Sequence, residues 1–443
     1  MPNSYTIPPQ LTRMADGTVK QINPFSGTEV WTVPGRANRP LGIKNPDPKP
    51  INPDEIGHHC AFCTQRVLET PPEKSRLVRK GDDAVIYRGT GVDMLSREWE
   101  FRRIPNLFEI LSFDYWEKNY GYQLPLEAHN RMQAYLADPA GRSHVMNIVH
   151  NKFRASGMSE DDWGEVSEVE KVAAAVSFFG GGHDVVVGRR HFVDGAKDDT
   201  ELASSGTLTP QEHEWYFRLS TEAMRDLYAQ NRYVRYVQVF QNWLKPAGAS
   251  FDHLHKQLVA IDQRTVDGRM EVEKVRRNPN LYNEAAVDYA GYQNLVIAEN
   301  PYAVAIAGFG HRYPTLEVWS RSAACQPWEH SPEELRGMSD LVHAMHAATG
   351  TNVPTNEEWY CKPIDADVNM PWKVLLKWRV STLAGFEGGT KIYVNTIDPW
   401  QLRDKVVPRL LELRAEGRIA STINIATECS CAVNSLKYNP ALQ

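Results

Sequence analysis

The sequence predicts an α+β protein in which one strand, helix and strand plan occurs twice, with antiparallel sheets and helices packed on them. Two helix starts are of one kind: Thr209-Pro210-Gln211-Glu212 and Ser331-Pro332-Glu333-Glu334 each place a hydroxyl cap, a proline and a glutamate three residues on. Each start is followed by an alternating segment at a similar distance, with 44 positions from Thr209 to His253 and 40 from Ser331 to Pro371. This sets His253-Leu254-His255-Lys256-Gln257 opposite Pro371-Trp372-Lys373-Val374-Leu375, so one half keeps polar chemistry that the other has lost. The 443 residues, 42% hydrophobic, 23% charged and 10% aromatic, have a globular composition that rules out a disordered chain or a fibrous rod, and the length suits a duplicated unit.

The elements follow in order. Residues 1–57, rich in Pro and Asn, form an N-terminal arm in which 29–33 alternates like a short strand. Residues 58–262 form the first repeat, opening with strands at 83–88 and 99–104. From about 112 to 179 the apolar spacing turns helical, through Met132, Tyr135 and Leu136 and again through Val145, Ile148 and Val149, so a helical lobe is inserted there. Its His129, Arg131, Arg142, His144, His150 and Arg154 are expected on a solvated face. A strand at 183–187, a helix from Thr209 to about Gln230, and strands at 233–241 and 253–261 complete the repeat. Residues 263–443 form the second, degenerate repeat, with strands at 303–307 and 316–319 and a helix opening at Ser331.

With 49 Lys and Arg against 55 Asp and Glu, and no long basic run, no nucleic-acid footprint is expected. No apolar run reaches the roughly 20 residues needed to span a bilayer, because 295–308 is broken by Glu299, Asn300 and Pro301. The start lacks a secretory pattern, so a cytoplasmic protein is expected. Six cysteines in this length are no disulfide scaffold, and Cys60-Ala61-Phe62-Cys63 reads as a metal or redox pair, the latter disfavoured because no βαβ pattern surrounds it. Cys325, Cys361, Cys429 and Cys431 read as structural, with Cys429 and Cys431 a minor metal or redox pair at most. Alternation along a strand puts His253, His255 and Gln257 on one face.

These residues carry a resemblance. Asn23-Pro24, Gly27 to Trp31, Pro34 to Pro40, Cys60 to Cys63, Thr70 to Glu73, Asn106, Phe108, His183 to Val187, His191, Asn242, Gly248 to Ser250, His253 to Gln257, Ala384 to Glu387 and Gly389-Thr390 follow one another as in the galactose-1-phosphate uridylyltransferase family of the histidine triad superfamily. The chain resembles a divergent member with a helical insertion. The closing block is most similar to the bacterial and plant sugar-nucleotide transferases and phosphorylases.

The resemblance implies a duplicated histidine-triad-like fold and one structural zinc per chain, held by Cys60, Cys63, His191 and His253. It implies that His255 attacks the α-phosphorus of a nucleoside diphosphate sugar, that Gln257 hydrogen-bonds the phosphoryl oxygens, and that a sugar 1-phosphate then reverses the step, giving a hexose-1-phosphate uridylyltransferase-like ping-pong reaction. An amide at position 257 cannot act as an acid, which favours transfer over hydrolysis. Asn106, Asn242, Gly248, Ala249 and Ser250 match substrate-binding positions, and Arg36 and Arg39 are placed to neutralise phosphate charge. A homodimer is implied as well. Pro371 and Lys373 replace the histidines of a second metal site, so none is expected, and Leu107 replaces a frequent acidic ribose contact. A phosphorylase with inorganic phosphate as acceptor and a noncatalytic nucleotide-binding protein are the alternative readings.

Overall fold

A computed structural model describes residues 9–35, 41–43, 45–94, 97–381 and 383–442. They form two compact units, one of residues 45–241 with 250–264, the other of the residues before 45, 242–249 and those from 265 on. The chain opens in the second of these with β1 (Leu11–Arg13), β2 (Val19–Ile22) and β3 (Glu29–Thr32), an antiparallel meander. The segment expected as an arm thus carries a small sheet.

The unit that begins at residue 45 is built on β4 (Ser75–Lys80), β5 (Asp83–Arg88), β6 (Phe101–Pro105), β7 (His183–Gly188), β8 (Tyr236–Trp243) and β9 (His255–Ile261), in the antiparallel order β5-β4-β6-β7-β9-β8. Between β6 and β7 stand α1 (Phe113–Tyr120), α2 (Leu126–Ala137), α3 (Pro139–Ala155), α4 (Glu160–Glu165), α5 (Glu168–Ala175) and α6 (Ser177–Gly180), the helical lobe read from the sequence. Between β7 and β8 lies α7 (Pro210–Gln230), whose Tyr216 and Phe217 rings each lie 4.8 Å from the Lys256 ammonium on the back of β9. Thr209 caps α7 as expected, its Oγ1 accepting from Glu212 N at 3.2 Å while the Glu212 carboxylate accepts from Thr209 N at 2.8 Å.

The other unit continues through α8 (Val266–Arg277), α9 (Asp288–Tyr292), β10 (Val296–Asn300), β11 (Ala303–Ala307), β12 (Thr315–Ser320), α10 (Pro332–Thr349), β13 (Thr355–Tyr360), β14 (Lys373–Trp378), α11 (Gly385–Thr390), β15 (Ile392–Asn395), α12 (Pro399–Ala415) and β16 (Asn424–Ile425). Its antiparallel sheet runs β16-β10-β11-β12-β14-β13, and β15 joins β3 in parallel. The plan recurs. In one unit β9 lies between β7 and β8 with α7 in the β7–β8 connection, and in the other β14 lies between β12 and β13 with α10 in the β12–β13 connection. Val187 pairs with His255, and Trp319 pairs with Lys373. The α+β class with antiparallel sheets holds.

Three local expectations are corrected. Strand β4 was not anticipated, because its Ser-Arg-Leu-Val-Arg-Lys sequence hides a buried Arg76 that is paired with Glu73. Strand β9 begins at His255 instead of 253, since His253 sits on the bend before it. In the lobe, Arg142 and Arg154 form surface ion pairs and His150 Nε2 lies 3.0 Å from Glu160 Oε2, but His144 is buried, bonded to Tyr135 Oη at 2.9 Å and Thr70 O at 2.9 Å, and Arg131 donates to Glu73 O at 2.5 Å. These two residues dock the lobe onto the segment that precedes β4.

Candidate active site and metal centre

The Cys60-x-x-Cys63 loop, His191 just beyond β7 and His253 just before β9 converge in one unit. His253 Nε2 donates to Gly188 O at 2.6 Å, which leaves Nδ1 as the free donor, aimed at the two sulfurs. A tetrahedral ion with bonds of about 2.3 Å to sulfur and about 2.05 Å to nitrogen has edges of about 3.8 Å between sulfurs, 3.6 Å from sulfur to nitrogen and 3.3 Å between nitrogens. The observed edges are 3.8 Å for the sulfurs, 3.4–3.8 Å for the four mixed pairs and 3.2 Å for the two Nδ1 atoms. The four residues therefore fit one metal ion as a closed Cys2His2 set. Hydrogen bonding from Cys60 holds the Cys63 thiol far below its ordinary value and pushes Cys60 up, as expected of two sulfurs that share one proton.

Two residues on, the His255 ring is buried and its Nδ1 lies 2.7 Å from His253 O. A carbonyl only accepts, so Nδ1 carries the proton and Nε2 the lone pair. Burial pushes the imidazolium down to about 4, so the ring is neutral at neutral pH. Phe62, from the middle of the metal loop, packs with its centroid 5.3 Å from the His255 ring and 6.0 Å from the His253 ring.

Gln257, on the same strand face as His255, meets two neighbours. Its Oε1 lies 3.0 Å from His183 Nε2 on β7 and 3.5 Å from Asn106 Nδ2. The stretch after β6 holds both partners. Asn106 Oδ1 accepts from Phe108 N at 2.9 Å, Ile110 N donates to His183 Nδ1 at 3.3 Å, and the Glu109 carboxylate accepts from Gly182 N at 3.0 Å and Phe113 N at 3.1 Å. Burial raises Glu109 to about 7. A side chain at Gly181 would put its Cβ 2.1 Å from Glu109 Oε1, so this clasp requires glycine.

The structure brings Cys60, Cys63, His191 and His253 together, and groups Asn106 with Gln257. Ser250 is exposed in the same unit. Asn242, Gly248 and Ala249 belong to the other unit, where Asn242 Oδ1 accepts from Asn356 Nδ2 at 2.7 Å and Gly248 turns the loop at φ 89°. Arg36 and Arg39 lie outside the described residues. Sequence reasoning missed Phe62, His183 and Glu109 as site residues. His183 was within reach, because it shares strand parity with Val185 and Val187, whose face is that of His255.

A family profile described as "Domain of unknown function (DUF4921)" matches residues 14–438. The chain belongs to that family. It is 27% identical over 190 residues to an ADP-glucose phosphorylase of Arabidopsis thaliana, a match that covers 39% of this chain and 51% of the relative. The chain thus spans about half the length of this curated relative. Two solved structures share the fold: an A. thaliana ADP-glucose phosphorylase with bound ADP-glucose, at 18% identity, and an A. thaliana GALT-like protein, at 17%. Both have a TM-score of 0.56, and each match covers 88% of this chain and 98% of the other. The fold expected from the resemblance to the galactose-1-phosphate uridylyltransferase family is thus one this chain shares with a GALT-like protein. Among the described residues no helix is long and apolar enough to cross a membrane.

Proposed function

We propose that the protein transfers a nucleotidyl group from a nucleoside diphosphate sugar through a covalent intermediate on His255. The observation that carries this is the His255 tautomer: Nδ1–H is committed to His253 O, so Nε2 presents a lone pair on the strand face shared with Gln257. Nε2 attacks the α-phosphorus, the bond to the bridging oxygen breaks, and sugar 1-phosphate leaves with that electron pair. An oxygen of the acceptor then attacks the same phosphorus and displaces Nε2. Gln257 donates to the phosphoryl oxygens as charge builds on them. Cys60, Cys63, His191 and His253 would hold zinc, whose chemistry there is structural, tying the metal loop to the start of β9.

Inorganic phosphate is the first acceptor to test, because the sequence relative is an ADP-glucose phosphorylase; transfer to a hexose 1-phosphate is the second. Intact-mass spectrometry after incubation with ADP-glucose or UDP-glucose reads the adduct and identifies the base. Phosphate or glucose 1-phosphate is then added to see which one discharges it. Retention of the adduct by His255→Ala, or its absence from the wild-type protein with both sugar nucleotides, refutes the reading.

A further inference from the structure

A glutamine amide can present either end to a phosphoryl group, and only the NH2 end is useful against developing negative charge. Something must therefore fix which way Gln257 faces. Two backbone N–H groups of the segment after β6 do so, because a backbone amide can only donate.

Ile110 N–H points at His183 Nδ1, at 3.3 Å, so Nδ1 is an acceptor and the neutral ring carries its proton on Nε2. That Nε2–H lies 3.0 Å from Gln257 Oε1 and donates to it. Independently, Phe108 N–H donates to Asn106 Oδ1 at 2.9 Å, which turns the Asn106 NH2 toward the same Gln257 oxygen at 3.5 Å. Both routes agree. Oε1 of Gln257 is held inward as a double acceptor, and among the described residues no acceptor is bonded to its NH2 group. His183 is itself locked, since Asn106 N donates to His183 O at 2.8 Å and the Glu109 carboxylate clasps Gly182 N next to it. Burial lowers the His183 pKa, in keeping with the neutral ring that this network needs.

We propose that His183 is a positioning residue of the transfer reaction, holding the Gln257 amide with its NH2 toward the phosphoryl group through an Nε2–H tautomer dictated by Ile110 N–H. This rests on the reaction proposed above and adds to it a residue that need not touch substrate. The inserted lobe begins three residues after Ile110, so the segment that leads into it also sets the orientation of the amide.

The experiment has two arms. In the first, the rate of adduct formation with ADP-glucose or UDP-glucose is measured for zinc-loaded wild-type protein, His183→Leu, His183→Gln, Gln257→Ala and the Leu/Ala double variant. Removing a transition-state donor costs about 10²- to 10³-fold, so Gln257→Ala should fall in that range and His183→Leu, which frees the amide to rotate, by about 10- to 10²-fold. The loss should appear in kcat with KM little changed. His183→Gln, with one acceptor and one donor group, should recover most of the rate, and the double variant should be no slower than Gln257→Ala. A folded His183→Leu at the wild-type rate, or losses that multiply in the double variant, overturns the proposal. The second arm reads the resting protein: 15N-edited NMR of the imidazoles, assigned with His183→Leu, should show His183 protonated at Nε2. An Nδ1–H tautomer overturns the proposal even where no adduct forms, so its failure is separable from that of the reaction itself.

Discussion

Lys373 opens β14 paired with Trp319 as His255 opens β9 paired with Val187, and the surroundings of this ammonium allow its energetics to be worked out. Its Nζ lies 3.2 Å from both Glu271 oxygens, with the two side chains 7% and 6% exposed. Tyr282 Oη donates to Glu271 at 2.6 Å, and the rings of Phe25, Trp319, Tyr282 and Tyr360 surround the ammonium at 4.5, 4.9, 5.5 and 5.5 Å. In Lys373→Met the apolar stem persists but Glu271 is left buried without its cation. Loss of a buried partner typically costs about 3–5 kcal/mol. Urea unfolding followed by tryptophan fluorescence should therefore show Lys373→Met destabilised by about 3–4 kcal/mol at pH 7. Lys373→Met/Glu271→Gln, which keeps the Tyr282 bond without a charge, should lie within about 1.5 kcal/mol of wild type. A single variant within about 1 kcal/mol of wild type at pH 7, or strictly additive effects in the double, would show that the pair is not a clamp.

Three further outcomes are expected. Cys60→Ala should fall from about one zinc per chain to none by elemental analysis and lose several kcal/mol of stability, because binding by a closed site is coupled to folding; full stability would leave the loop without a structural metal. His253→Ala should lose metal and stability first, while His255→Ala keeps both and loses the adduct, a separation that metal analysis and mass spectrometry check on the same samples. Glu109 has its folded-state value raised to about 7, so the stability tied to its neutral form is complete below about pH 4.5 and is lost as pH rises to 7. Glu109→Gln should flatten that slope in thermal unfolding, and an unchanged slope would refute the assignment.

Much of this was legible because it is local. Capping boxes at Thr209 and Ser331 are four-residue patterns, and both form with the bonds that the pattern requires. What escaped depends on partners far along the chain. His144 reads as solvated until Thr70 O, 74 residues away, is seen to bond it, and the charged pattern of β4 reads as surface until its pairing with β6 is seen to bury it. Asn106 was read as a substrate contact; the bond of its amide to Gln257 crosses 151 residues and no spacing rule could reveal it.

His253 links the two halves of the site in a way that neither the metal set nor the reactive ring shows alone. Its Nδ1 belongs to the four-atom donor set, its Nε2 is committed to Gly188 O, and its carbonyl accepts from His255 Nδ1. With Nε2 bonded to Gly188 O and Nδ1 in the donor set, the His253 ring would have one orientation when an ion is bound, and its backbone carbonyl would be fixed at the bend where β9 begins. On the proposed reaction, Cys60, Cys63, His191 and His253 would hold a structural ion, and the His253 carbonyl is the acceptor that keeps the proton on His255 Nδ1 and leaves Nε2 free. The strand β14 lacks this arrangement, since the pyrrolidine nitrogen of Pro371 is a backbone amide that offers neither a metal-binding lone pair nor an N–H, and Lys373 is paired with Glu271.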